Sequence, residues 1–339
     1  MKQVLKNRFT TPLLVADIGG TNARFAIVTG NDGSGQYILE QQENYLCDEF
    51  ADFTQVLSAY MEGLGFQPEF GCIAVAGPVN NGQVAMTNQN WLIQESDIST
   101  EFGFKAFSIL NDFEALSLSL NRLHKADLNE LCTVQPVSTR VKAVIGAGTG
   151  LGVAALITEK NTVLSLPSEG GHVSFAPYTE REKELLDLMQ AEKDYVSAED
   201  ILSGQGLQNI YQSLLRIDNI SSHDISAAAI SERALEGRDP HAHEALSIFC
   251  AVLGSVAGDA VLTYGAKGGL YLGGGILPKI EDFFGHSHFI ERFKNKGKMS
   301  SYLNDVPIYL IKHTHPTLLG AAQHLEQLYL TQPPQINPL

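Results

Sequence analysis

The chain has 339 residues, 44% hydrophobic and 18% charged, a globular composition with enough length for about two domains. Lys and Arg number 23 against 38 Asp and Glu, a net charge of −15 that repels phosphate backbones and anionic lipid and sets nucleic acid and membrane aside as partners. The four cysteines, Cys47, Cys72, Cys132 and Cys250, form no CxxC pair, so neither a structural zinc site nor a disulfide framework is expected, and the chain reads as cytoplasmic.

The basic N-terminal residues Lys2, Lys6 and Arg8 precede only the short apolar run Leu13–Ala16, too little for a signal-peptide core, and no uninterrupted apolar run reaches about 18 residues. Residues 12–17 predict a buried strand, Ile18–Thr21 a glycine turn and Arg24–Val28 a returning strand, which together make a hairpin. Apolar residues at helical spacing predict a helix over 52–64, and strands are expected at 71–76 and 106–110. Asn111 and Asp112 then stand at a strand end, with a helix following through Phe113, Leu116 and Leu120.

The pattern repeats. A strand over Val141–Ile145 leads into Gly146–Gly152, with four glycines in seven residues, and Val153–Ile157 returns. A strand at Thr162–Leu166 precedes the loop Ser168-Glu169-Gly-Gly-His172. From about residue 179 to 264 the chain reads as mostly helical. Thr179 with Glu182 and Ser197 with Asp200 supply capping boxes, which place Glu199 in a first helical turn; a long apolar helix spans Glu244–Tyr264. Strands at 269–272 and 306–311, a helix at 318–330 and a disordered Pro-rich tail at 331–339 complete the chain. Thr21 and Thr149 occupy equivalent places in the two glycine hairpins, 128 residues apart, which predicts two related lobes that each offer a backbone-rich turn to the cleft between them.

Converging N–H groups in glycine turns suit phosphate, because glycine permits positive φ and close approach. The turns match neither GxxxxGK[ST] nor GxGxxG: the only Gly-Lys pair, Gly297-Lys298, is followed by Met299, and Leu151 stands where a third Rossmann glycine would be. Asp17, just before the first turn, either holds Mg²⁺ beside phosphates or bonds the turn backbone. Asn111 and Asp112 either cap their helix or serve a ligand at the carboxyl end of a strand, where phosphoryl transfer to an alcohol needs a carboxylate. Glu169 and His172 on an open loop suit polyol recognition and are too few for a metal site. Glu199 is favoured by the helix dipole alone. The pairs His241/His243 and His313/His315 read as surface or core histidines.

Taken together, these motifs resemble one family. Asp17-Ile-Gly-Gly-Thr-Asn-Ala-Arg24 resembles the first phosphate motif of the actin–hexokinase-fold sugar kinases, Gly146–Gly152 the second, and Leu272-Gly-Gly-Gly-Ile-Leu-Pro278 their adenosine motif. Ile109–Phe113, Glu169–Pro177 and Val196–Gly204 are similar to the sugar-binding segments of the proteobacterial-type bacterial glucokinase family. The resemblance spans about residues 13–330, with the motifs in family order.

It implies an α/β, two-lobed actin/hexokinase-like (ribonuclease H-like) fold, with a small domain of residues 1–122 plus 313–339 and a large one of 123–312. It further implies phosphorylation of D-glucose by ATP with Mg²⁺, without structural zinc, in a homodimer. Asp112 becomes the catalytic base, and Asn111, Glu169, His172 and Glu199 meet the sugar. Asp17, Gly19, Gly20, Thr21, Asn22, Gly146, Gly148, Thr149, Gly150, Gly273, Gly274 and Gly275 meet ATP, with Asp17 on Mg²⁺ directly or through water. Closure of the lobes around the sugar is expected to exclude water. The other readings are a kinase of the same fold for another hexose or amino sugar, and a non-catalytic sugar sensor. Sensors of this superfamily add a DNA-binding helix-turn-helix, for which the roughly twelve residues ahead of the first expected strand are too few.

Overall fold

The computed structural model describes residues 7–330 apart from 87–88, 135–139, 161 and 222–223; the tail expected at 331–339 lies outside the described residues. In chain order the elements are β1 (Asn7–Ile18), β2 (Asn22–Asn31), β3 (Tyr37–Leu46), α1 (Phe53–Glu62), β4 (Phe70–Val75), β5 (Gln83–Met86), β6 (Trp91–Gln94), α2 (Glu95–Phe102), β7 (Ala106–Asn111), α3 (Asp112–Ser119) and β8 (Leu128–Cys132). There follow β9 (Val141–Ala147), β10 (Leu151–Glu159), β11 (Thr162–Ser168), α4 (Glu180–Gln190), α5 (Gly204–Ile217), α6 (Ala227–Leu235), α7 (Pro240–Tyr264), β12 (Leu270–Gly273), α8 (Glu281–Gly285), α9 (Phe289–Lys294), α10 (Ser300–Asn304), β13 (Ile308–Ile311) and α11 (Pro316–Leu325). The described residues of Met1–Asp127, Lys160–Ser165 and His313–Leu339 form one compact unit, and those of Leu128–Glu159 and Leu166–Lys312 form the other.

In the first unit the sheet order is β3-β2-β1-β4-β7. β1, β2 and β3 are antiparallel neighbours, and β4 and β7 continue in parallel from β1. Residues such as Leu14, Ala16, Ile18, Phe25, Ile27, Ile73 and Val75 fill the core beneath α1, where Phe25 stacks on Tyr60 with ring centres 4.8 Å apart. On the other side α11 crosses α3 with backbones touching: a Cβ on Gly320 would lie 1.7 Å from the Ala115 carbonyl oxygen. That contact fixes the start of α3, and with it Asp112, against α11.

The second unit repeats the plan. Its sheet order is β11-β10-β9-β12-β13-β8, with β9 and β10 an antiparallel hairpin and β12 and β13 parallel to β9. Each unit is therefore a glycine hairpin extended by two parallel strands, as the 128-residue repeat predicts. α7 is the central helix of the larger core. It is long and apolar enough to cross a membrane by length and composition, although Ser247, Ser255 and Asp259 interrupt its apolar run; most of that stretch is buried inside its own unit. Gly254 and Gly258 let α9 approach it, since Cβ atoms there would meet the Phe289 and Phe293 carbonyl oxygens at 2.3 and 2.7 Å.

Several boundaries differ from expectation for identifiable reasons. α7 begins at Pro240 rather than Glu244, because Asp239 caps it by accepting from the His241 and Ala242 N–H groups and Pro240 fits the first helical position. β3 escapes the pattern because its outer residues, Glu40 to Asn44, are polar and exposed at a sheet edge. Ser197 and Asp200 do make reciprocal bonds, Ser197 N–H to Asp200 Oδ2 at 2.7 Å and Asp200 N–H to Ser197 Oγ at 3.3 Å, yet no helix follows. Residues 196–199 instead pair with the segment after the two-glycine loop: Phe175 N–H donates to Val196 O, Ala198 N–H to Val173 O and Glu199 N–H to Gly171 O. Glu199 thus sits in a tight turn, and the regular helix starts at Gly204 under the Ser203 cap.

Candidate active site

In the first unit the turn between β1 and β2 is closed by Gly19 N–H on Asn22 O at 2.9 Å, with Cys47 N–H on Thr21 O at 2.9 Å. The Gln89 side-chain amide also donates to Gly20 O. Asp17 is the next-to-last residue of β1, directly opposite Arg24, and Arg24 Nη1 stands 3.5 Å from Asp17 Oδ2. Burial raises the Asp17 pKa above the ordinary carboxylate range, and Arg24 is the strongest opposing influence, with His315 adding to it. Burial also lowers the His315 pKa, and the Arg24 charge lowers it further.

Asn111 ends β7 and caps α3: its Oδ1 accepts from the Phe113 and Glu114 N–H groups at 2.9 and 3.3 Å, and its Nδ2 donates to Gly77 O at 3.1 Å. The capping reading is therefore correct for Asn111: the cap takes up its Oδ1, and one amide N–H is not on Gly77 O. Asp112 follows as the first helical residue and accepts from its neighbour Phe113 N–H at 2.9 Å. Burial pushes its pKa up to about 6, and the Asp17 charge adds to the rise against the Phe113 bond. At neutral pH Asp112 is ionised and more basic than an ordinary aspartate.

In the second unit Gly148 N–H donates to Gly150 O at 2.8 Å, and Gly204 N–H donates to Gly148 O at 2.9 Å, so the start of α5 holds the second turn. Close approach accounts for glycine at Gly146 and Gly150 but not at Gly148. Gly146, Gly148 and Gly150 all have φ outside the left-handed region, so the positive φ that glycine permits is not used there. A Cβ on Gly146 would lie 2.7 Å from the Gly273 carbonyl carbon, whereas on Gly148 it would meet only Gly275 N at 3.9 Å. Gly274 does need its left-handed φ of 84°, and a Cβ there would press to 2.3 Å on Ala147 O. The second turn and the Gly273–Gly275 turn thus form one backbone-on-backbone surface.

The two glycines between Glu169 and His172 bring their loop onto β10, where Cβ atoms would lie 2.8 Å from Val153 Cβ at Gly170 and 2.0 Å from Leu151 O at Gly171. Glu169 and His172 remain exposed, with His172 Nε2 3.9 Å from Glu169 Oε2. Tyr195 Oη donates to His172 O at 2.6 Å and pins the loop. Glu199 Oε2 accepts from Leu151 N–H at 2.8 Å.

The structure therefore gathers Asp17, Gly19–Asn22, Asn111 and Asp112 in one unit, and Gly146–Gly150, Glu169, His172, Glu199 and Gly273–Gly275 in the other. Sequence reasoning missed Arg24, Gln89, Leu151, Tyr195 and Gly204 as groups that hold these segments. Arg24 was reachable by counting the hairpin register back from the turn; Gln89 and Tyr195 carry no sequence signal, because their contacts are long-range.

The family model described as Glucokinase matches residues 14–328. The chain belongs to the glucokinase family. It is 42% identical over 323 residues to a glucokinase of Saccharophagus degradans, covering 94% of this chain and 100% of the relative. It is 40% identical over 314 residues to a glucokinase of Escherichia fergusonii, covering 93% and 97%. The crystal structure of a glucokinase from an Antarctic psychrotroph superposes with a TM-score of 0.87 at 36% identity, covering 94% of this chain and all of that one. The glucokinase family's actin/hexokinase-like fold accounts for the repeated hairpin-plus-parallel-strand plan of the two units.

Proposed function

We propose that this chain transfers the γ-phosphate of ATP to the 6-hydroxyl of D-glucose, giving glucose 6-phosphate and ADP. The observation that carries this reading is the match to glucokinases along nearly the whole of both chains. Asp112 is the catalytic base. It cannot deprotonate a free alcohol outright, since the gap in pKa is about ten units. It orients the hydroxyl and takes its proton late, as the bond to phosphorus forms, and a carboxylate raised to about 6 is a better acceptor for that proton than an ordinary one.

Asn111, Glu169, His172 and Glu199 bind the sugar hydroxyls, which donate to the carboxylates and accept from the amide and imidazole. The backbone of Gly19–Asn22, of Gly146, Gly148, Thr149 and Gly150, and of Gly273–Gly275 cradles ATP, in turns that the Gly19 and Gly148 N–H groups hold closed. Mg²⁺ fits this donor set. Asp17 is a hard oxygen ligand beside the first glycine turn, the donor type this ion takes alongside phosphate and water. Asp17 would hold it, directly or through water; when bound, the ion supplies positive charge to the transferring phosphoryl group.

The reading includes a homodimer and a cytoplasmic setting, the latter supported by four free cysteines that suit a reducing compartment. ADP release measured across D-glucose, D-mannose, D-fructose and N-acetylated amino sugars tests the substrate. Glucose is expected to give the highest kcat/KM, and a higher value for another sugar would move the chain to a kinase of different specificity.

A further inference from the structure

Leu151 joins the two binding surfaces of the second unit. Its N–H closes the second glycine turn by donating to Glu199 Oε2 at 2.8 Å. Its carbonyl oxygen is where a Cβ on Gly171, between Glu169 and His172, would press to 2.0 Å. Gly171 O in turn accepts from Glu199 N–H at 2.9 Å. The Glu199 carboxylate also fills the space next to Gly150, where a Cβ would lie 2.5 Å from Oε2. Only one carboxylate oxygen is spent on the turn, so the other is left for a sugar hydroxyl.

We propose that Glu199 is a positioning residue for the nucleotide-phosphate turn as well as a sugar ligand, so that glucose and nucleotide binding are thermodynamically linked through this one carboxylate. The inference rests on the sugar-binding reading of Glu199. A hydroxyl on Oε1 orders the carboxylate, and the ordered carboxylate holds Leu151 N–H and the Gly148–Gly150 arch that leads into it. By reciprocity a nucleotide that orders the arch must improve sugar binding by the same factor.

Calorimetric titration of MgADP into the full-length protein, with and without saturating glucose, tests this. In the wild type, glucose is expected to tighten MgADP about fivefold or more, within the usual range of coupling; equal affinities with and without glucose would overturn the linkage. Without sugar, Glu199→Ala is expected to weaken MgADP about fivefold or more, while Glu199→Gln stays within about twofold, because its amide oxygen still accepts from Leu151 N–H.

His172→Ala, in the Glu169–His172 loop and off the phosphate turn, should lose glucose affinity and keep sugar-free MgADP affinity. A Glu199→Ala protein that binds MgADP like the wild type without sugar contradicts the proposal. If Glu199→Ala does not fold, Gly150→Ala decides: its methyl group displaces the carboxylate and should weaken glucose about fivefold, and unchanged glucose affinity would overturn the proposal. A wild type that binds no glucose refutes the sugar reading separately, since the sugar-free MgADP comparison still reports on the Leu151 contact.

Discussion

Arg24 Nη1 lies 3.5 Å from Asp17 Oδ2, across the β1–β2 ladder in which the two are register partners. The guanidinium offsets what burial does to Asp17, whose pKa stands raised even so. Removing it in Arg24→Met should raise that pKa further. Asp17 would then be ionised over a narrower range, so the loss in MgADP affinity should grow as the pH falls. Titrations across a pH series check this; equal losses throughout would mean that Arg24 meets the nucleotide itself.

Asp112→Asn should keep glucose affinity within about tenfold and lower kcat at least about 10²-fold, the usual cost of losing a general base. In the wild type kcat/KM should fall as the pH drops through about 6, the value to which burial and Asp17 push Asp112. Steady-state profiles measure both, and a mutant with near wild-type kcat would remove Asp112 from the chemistry.

The same shift makes a statement about stability. The folded pKa of Asp112 lies above its ordinary value near 3.8, so the folded state holds more protons than the unfolded state between those values. Stability therefore declines as pH rises from about 4 to about 6, and the full cost stands at neutral pH. Asp112→Asn keeps the acceptor for Phe113 N–H and removes the buried charge. It should stabilise the apo protein by about 1–3 kcal/mol at pH about 7.5 and by little below about 4. Chemical denaturation at both pH values measures this; no gain at neutral pH would show that Asp112 is better solvated than its surroundings indicate.

Gly146 and Gly148 look alike in sequence and should behave differently. Gly146→Ala drives a methyl group into the Gly273 backbone at 2.7 Å and should destabilise the protein by about 1–3 kcal/mol or more. Gly148→Ala has room, with Gly275 N at 3.9 Å, and should leave the melting temperature within a few degrees while reducing ATP affinity. Scanning calorimetry with nucleotide titration separates the two, and a destabilised Gly148→Ala would show that the turn, rather than the ligand, demands glycine there.

The hairpins, the strand end at Asn111-Asp112 and the internal repeat were legible because each is a local pattern: apolar strands, glycine turns and a polar pair where the apolar run stops. The conformation around Glu199 was not, although the two bonds of its capping pattern form. Ser197 and Asp200 make their bonds, but pairing of residues 196–199 with 171–175 outweighs the helix the box would otherwise start. The reason for Gly146 was equally out of reach, because it lies in Gly273, more than a hundred residues along the chain and adjacent only once β9 and β12 pair. The signal for the start of α7 is Asp239-Pro240, a capping residue followed by proline at the first helical position, ahead of the apolar run at Glu244.

Phosphorus NMR of the purified protein with MgATP and D-glucose, or with 6-deoxy-D-glucose in its place, tests the central claim most directly. With glucose, the ATP γ signal should be replaced by glucose 6-phosphate as ADP accumulates in equal amount. With 6-deoxyglucose, which offers the sugar site every hydroxyl but the acceptor, the ATP should remain. Inorganic phosphate in place of the sugar phosphate, or transfer to 6-deoxyglucose, would contradict the assignment of the 6-hydroxyl and Asp112 as the reacting pair.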